Sequence, residues 1–226
     1  MYFSVIDIRP GVEKSKDFWR SIGDGYRIHQ MIWDLFSDGP DRERDFLYRR
    51  RNERPAPSFY CVSRRTPKKN GNVWAMRTKP YAPRLKSGDR LAFQLTANPI
   101  RSKRDDNGRL HRHDVVMDSK LKMKKEGVRE EDRPDRAEVV QRESVLWLSE
   151  RAAKNGFSVR EAEIRADGYR QHMFRKRPGS RPVRISTVEF TGILEVDDVD
   201  KFLNALYRGI GPGKAFGCGL MLVMRP

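Results

Sequence analysis

At 226 residues the chain is long enough for one large domain or two small ones, and a formal net charge of +16 exceeds what solubility requires. Apolar residues make up only 37%, yet they recur in short periodic runs, which excludes a wholly disordered polyelectrolyte. The only two cysteines, Cys61 and Cys218, exclude a disulfide scaffold and read as small buried residues, and no apolar run is long enough for a membrane-spanning helix.

The charge lies in blocks. From Arg54 to Lys86 there are nine Lys or Arg and no acid, and from Gly168 to Val188 there are six, again without an acid. Blocks of one sign mark a binding surface rather than a salt-bridged solvated one. A polyanion settling there releases its counterions, so nucleic acid is the expected partner. An anionic membrane surface would also answer such a field, but no membrane partner is expected.

In chain order, Tyr2 to Ile8 alternates and is rich in β-formers, so a strand opens the chain. Met1 to Arg9 therefore does not read as a signal peptide, and a cytoplasmic protein is expected. Asp24 can cap a helix running to about Phe36, with Ile28, Met31, Ile32 and Leu35 on its inner face. Phe46 to Arg50 and Ser58 to Arg64 read as strands parted by Pro55 and Pro57, and Val73 to Thr78 as a weaker one. After the Gly88-Asp89 turn comes a clear strand, Arg90 to Asn98. Pro99 to about Arg136 is charged, mixed in sign and poor in apolar residues, and is expected to be a long mobile loop.

Glu138 to Lys154 reads as a helix with Val139, Val140, Leu146, Trp147 and Ala153 on or near its buried stripe, ended by Asn155-Gly156. Phe157 to Ile164 is a strand. Tyr169 to Ile185, centred on Pro178-Gly179-Ser180, reads as a basic β-hairpin. A long strand to Val196, a helix Val199 to Tyr207 and a closing strand Leu220 to Met224 follow. The fold class is α+β: two tandem ferredoxin-like (RRM-like) βαββαβ domains, the first with a degenerate second helix. They divide into residues 1–87 and 88–226, joined around Lys86 to Asp89.

Tyr26, His29 and Trp33 share one face of the first helix, near its positive end, where a phosphate is welcome. Cleaving RNA without a metal needs a base for the 2′-hydroxyl, an acid for the leaving 5′-oxygen and positive charge near the phosphate. A phenol beside an imidazole can supply the proton transfers. Equally, the two can be ordinary half-buried helix residues. The segment Gly209 to Gly219, GIGPGKAFGCG, is no Walker loop, because Ala215 follows Lys214 where Ser or Thr is needed. It either approaches a ligand closely, with Lys214 projecting, or is a tight helix-to-strand connection. His111 and His113 form an H-x-H without further ligands at usable spacing, so neither a metal nor a cofactor is expected.

The segments DGYRIHQMIWDLF, RDFLY, LTANPIR, VEFTGIL and GIGPGKAFGCGL stand in this order along the chain. Together they resemble the CasE-type CRISPR RNA-processing endoribonucleases of type I-E systems. The likeness runs the length of the chain and weakens across Asp105 to Arg136 and the hairpin. It implies metal-independent cleavage of stem-loop repeat RNA by 2′-hydroxyl attack, with the product kept bound among other Cascade subunits. Such a protein would be a monomer when free. His29 matches the family's active histidine, Tyr26 the tyrosine before it and Lys214 the lysine of the Gly-rich loop. RNA-binding candidates are Arg27, Lys103, Lys214 and the hairpin cations Arg170, Arg175, Lys176, Arg177, Arg181 and Arg184. The alternative is an RNA-binding assembly subunit without catalysis.

Overall fold

The structure, a computed structural model, describes all residues except 17, 20–24, 38, 40–42, 52–55, 69–72 and 175–181, and the side chains of all the rest but Glu13, Tyr26 and Phe174. Its first half consists of β1 (Tyr2–Ile8), α1 (Gly25–Asp34), β2 (Phe46–Arg50), β3 (Ser58–Ser63) and β4 (Trp74–Pro80). The sheet order is β2-β3-β1-β4 with every pair antiparallel. That is the split βαβ arrangement of a ferredoxin-like fold. Between Ser63 and Trp74 the described residues form no helix, which is the degeneracy expected from the sequence.

The second half repeats the plan with an insertion. Its elements are β5 (Arg90–Ala97), β6 (Ile100–Arg104), β7 (Leu110–Asp114), α2 (Val115–Lys125), α3 (Arg136–Ala152), β8 (Phe157–Phe174), β9 (Val183–Val196), α4 (Val199–Arg208) and β10 (Met221–Met224). The sheet runs β10-β5-β9-β8, again all antiparallel. β8 is one strand through the point where the sequence suggested a break at Ile164, and it absorbs register shifts at Val159/Ile164 and Asp167/Arg170. It leads directly into the hairpin, whose tip at 175–181 lies outside the described residues.

The expected loop from Pro99 to Arg136 is folded instead. β6 and β7 make a two-stranded ribbon turned at Asn107-Gly108, where Gly108 has φ 74° and the Asp105 carboxylate accepts from the amides of Asn107 and Arg109. α2 follows, capped by Asp114, which accepts from the Met117 amide. The pattern is faint because this insertion buries so little, chiefly Val115 and Val116.

The first core gathers Ile6, Ile32, Leu35, Phe36, Phe59 and Trp74, and the second Leu95, Trp147, Leu148, Phe157, Phe190 and Phe202. β2 belongs to both halves. By strand alternation Phe46 and Tyr48 enter the first core, while Leu47 joins Val62 and Leu220 in a seam cluster. Arg49, on the seam side, places Nη2 2.8 Å from Glu189 Oε2 of β9. Glu189 also accepts from Thr96 Oγ1 of β5 at 2.9 Å, so the buried charge is paired from both sides. Cys61 and Cys218 are buried free thiols, the role their small number suggested. Among the described residues no helix is long and apolar enough to cross a membrane.

Candidate functional site

Alternation along β2 also decides what its head can reach. Arg44 stands two residues before the strand, its guanidinium carbon 4.8 Å from the centre of the Phe46 ring and 5.4 Å from that of Trp33 on α1. From this aromatic seat Nη2 lies 3.3 Å from Nδ1 of His29, and Nη1 donates to the Lys214 carbonyl at 3.2 Å. One side chain therefore ties the helix carrying His29 to the Gly-rich segment, although the three residues are far apart in sequence.

A guanidinium has donors and no acceptor, so Nδ1 of His29 accepts and the ring proton sits on Nε2. The imidazole is half-buried, with the Trp33 ring 6.0 Å away and the Phe216 ring 6.2 Å away. Burial lowers the pKa of Arg44 from its ordinary value, an effect partly offset by Tyr48 and Cys61.

Lys214 to Phe216 form a 3-10 turn bounded by Gly213 at φ 80° and Gly217 at φ 81°. Both glycines are required. A Cβ on Gly217 would stand 3.3 Å from the Tyr48 ring, and one on Gly213 3.2 Å from the Asn98 side chain, in a backbone region that L-residues avoid. Tyr48 fixes the turn by donating its hydroxyl to the Ala215 carbonyl at 2.7 Å, and burial pushes that phenol's pKa well up. The Lys214 ammonium is held below its ordinary pKa by burial first, then by Arg208 and Arg44.

Of the residues singled out in the sequence, His29 and Lys214 are thus brought together. Tyr26 lies in the first turn of α1, three residues before His29, and its side chain is outside the described residues. Arg184 joins Lys214 and Arg112 around a groove of about 870 Å³ between the β6–β7 and β8–β9 hairpins. Arg170 pairs with Thr187 across the β8–β9 ladder and lines a smaller cavity, about 230 Å³, that shares Phe216 as a wall. His172 lines both spaces with Nε2 2.9 Å from Thr187 Oγ1, and its pKa is lowered by burial and then by Arg170. Arg27 is exposed on α1. Lys103 is not part of this assembly: it stands one residue along β6 from Ser102, the partner of groove-lining Arg112, and so on the ribbon's other face, 2.6 Å from Asp118. Arg175, Lys176, Arg177 and Arg181 lie outside the described residues.

His111 is bound to Asp105 at 2.7 Å, and among the described residues no group of three or more His, Cys, Asp or Glu is placed to hold a metal ion. The residues that sequence reasoning passed over are Arg44 and Tyr48. Both stand in the RDFLY segment, but nothing local says what they touch.

Comparison with known proteins supplies the context. The sequence model of a family described as CRISPR associated protein matches residues 1–225. The chain is 30% identical over 200 residues to the CRISPR system Cascade subunit CasE of Escherichia coli, covering 88% of this chain and 90% of that one. It is 32% identical over 154 residues to the CRISPR-associated endoribonuclease Cse3 of Thermus thermophilus, 64% of this chain and 60% of that one. Its structure resembles CRISPR endoribonuclease Cse3 bound to a 19-nucleotide RNA, with TM-score 0.73, 25% identity and coverage of 99% and 100%.

Proposed function

Since the chain belongs to the CRISPR-associated protein family, we propose that it is the endoribonuclease that processes CRISPR repeat RNA, working as a subunit of Cascade in the cytoplasm. It binds the repeat stem-loop, cuts it without metal or cofactor by 2′-hydroxyl attack, and keeps the mature guide RNA bound. We take residues 1–87 and 88–226 as its two ferredoxin-like units, and the free protein as a monomer.

The observation that carries this reading is His29 held by Arg44 beside the Lys214 turn. Binding alone would have no use for an imidazole locked in one tautomer. In the reaction the 2′-oxygen bonds to phosphorus, the bond from phosphorus to the 5′-oxygen breaks, one proton leaves the 2′-hydroxyl and one reaches the 5′-oxygen. With Nδ1 engaged, His29 faces the RNA with Nε2–H and keeps that proton, stabilising the leaving oxygen as a hydrogen-bond donor, the way a neutral imidazole can act as an electrophile. Tyr26, on the same helix face, takes up the proton of the 2′-hydroxyl as its own phenol proton passes to the 5′-oxygen, so the transfer balances. Lys214 and the surrounding cations stabilise the charge that grows on the phosphate.

The test is to incubate the protein with repeat RNA and analyse the ends. A 2′,3′-cyclic phosphate and a 5′-hydroxyl support the reading. Intact RNA that is nonetheless bound points to the non-catalytic assembly subunit.

A further inference from the structure

A third cavity, of about 840 Å³, shares Lys214 with the hairpin groove but is otherwise built from different elements: the head of β2, Arg64 just past β3 and the last turn of α4. Four cations, Arg44, Arg64, Arg208 and Lys214, line it against two acids, Glu43 and Asp45. Asp45 is committed elsewhere, its carboxylate 3.3 Å from Arg65. Arg44 and Arg208 press on the Lys214 ammonium from nearby, and part of its pKa lowering comes from that repulsion. Arg44 and Lys214 are half-buried, with the exposed Arg64 and Arg208 at the rim; gathering like charges there costs energy that the fold itself does not return, whereas an anion between them returns it. Tyr207 adds an aromatic wall to the same cavity. Cations interleaved with an aromatic ring are the pairing that holds single-stranded nucleic acid.

We propose that this cavity holds the backbone phosphates of the single-stranded RNA that runs off the base of the stem beyond the scissile bond. The assignment rests on the RNA-cleaving reading above. Its volume falls in the range that encloses a small ligand, room for a nucleotide or two and too little for a duplex. Its place along the strand follows from sharing. Arg44 touches both His29 and the Lys214 turn, so a phosphate in the cavity neighbours the one at His29. The basic hairpin borders the other space, so a strand arriving from the stem passes His29 and enters here.

The experiment compares two repeat stem-loops, one ending at the cut and one extended beyond it by single strand. Both carry a 2′-deoxy cleavage nucleotide so that neither is consumed. Wild-type protein should bind the extended RNA about tenfold tighter or more, with a log–log salt slope steeper by about 0.7 for each added phosphate contact. The Arg64→Gln/Arg208→Gln protein, its folding checked by thermal midpoint, should bind both RNAs alike and the shorter one as tightly as wild type does. The assignment is overturned if the double variant keeps the gain, or if it loses affinity equally for both RNAs. Should wild-type protein bind neither RNA, the RNA-cleaving reading itself fails and this site falls with it.

Discussion

Arg44 reaches His29 at 3.3 Å, guanidinium to Nδ1, and with its other amino group holds the carbonyl of Lys214. The contact orients the imidazole and selects its tautomer. Besides lining the proposed phosphate cavity, Arg44 acts on the cutting step through His29, which makes it a positioning residue for that step.

Replacing Arg44 by Met keeps an unbranched stem against Trp33 and Phe46 and removes both donors. Single-turnover cutting should fall about 100-fold, the cost typical of a misplaced catalytic group, with hairpin affinity much less changed. The ring nitrogen chemical shifts of His29 give the separate check: the Nε2–H tautomer in wild type and a mixture in the variant. A variant that cuts slowly with an unaltered tautomer would reduce Arg44 to a packing role.

His29→Ala should slow cutting by about 10²–10³-fold, the loss typical of one transition-state hydrogen-bond donor, while hairpin binding persists on the dispersed cations. Wild-type cutting should continue in excess chelator, since the protons are moved by side chains. Loss of all activity in EDTA, restored by magnesium, would contradict this. A 2′-deoxy cleavage nucleotide should block cutting and leave binding intact.

Gly217→Ala puts a side chain at φ 81° against the Tyr48 ring. The left-handed backbone alone costs roughly 1–2 kcal/mol, and relief comes by shifting the turn that presents Lys214. Both the thermal midpoint and the cutting rate should drop. An unchanged rate at lower stability would show that the turn's position is not critical.

The pKa of His172 lies below its ordinary value because burial and Arg170 disfavour its charged form. Below the ordinary histidine pKa of about 6.5 the unfolded chain binds a proton that the folded chain resists, so stability is lost as pH falls. The thermal midpoint should decline between pH 7.5 and 5.5, and His172→Gln should flatten that decline. An equally steep decline in the variant would place the sensitivity elsewhere.

The two ferredoxin-like halves could be read from the sequence because their strands alternate and their helices bury one stripe, as Ile32 does on α1 and Leu35 just past its end. His29 and Lys214 stood out by residue type and local motif. Arg44 did not, because its meaning comes from two partners, one 15 residues before it and one 170 after, and no local pattern records such a meeting. The ribbon after β5 was missed for a different reason. Its Asn107-Gly108 turn signal was present, but its strands bury almost nothing, so the apolar pattern that would have framed the turn was absent.

β2 has the remaining consequence. One of its faces fills the first core, and the other reaches Leu220 and Glu189 of the second half. Neither ferredoxin-like half can melt without stripping a face of this strand, so the chain should lose its structure in one cooperative transition. A fragment ending at residue 87 would leave Leu47 and Val62 uncovered and Arg49 buried beside no counter-charge. It would also lose the Lys214 carbonyl that steadies Arg44 over His29. The two halves should thus unfold as a single unit, and a chain severed at residue 87 should lose its cutting activity together with its fold.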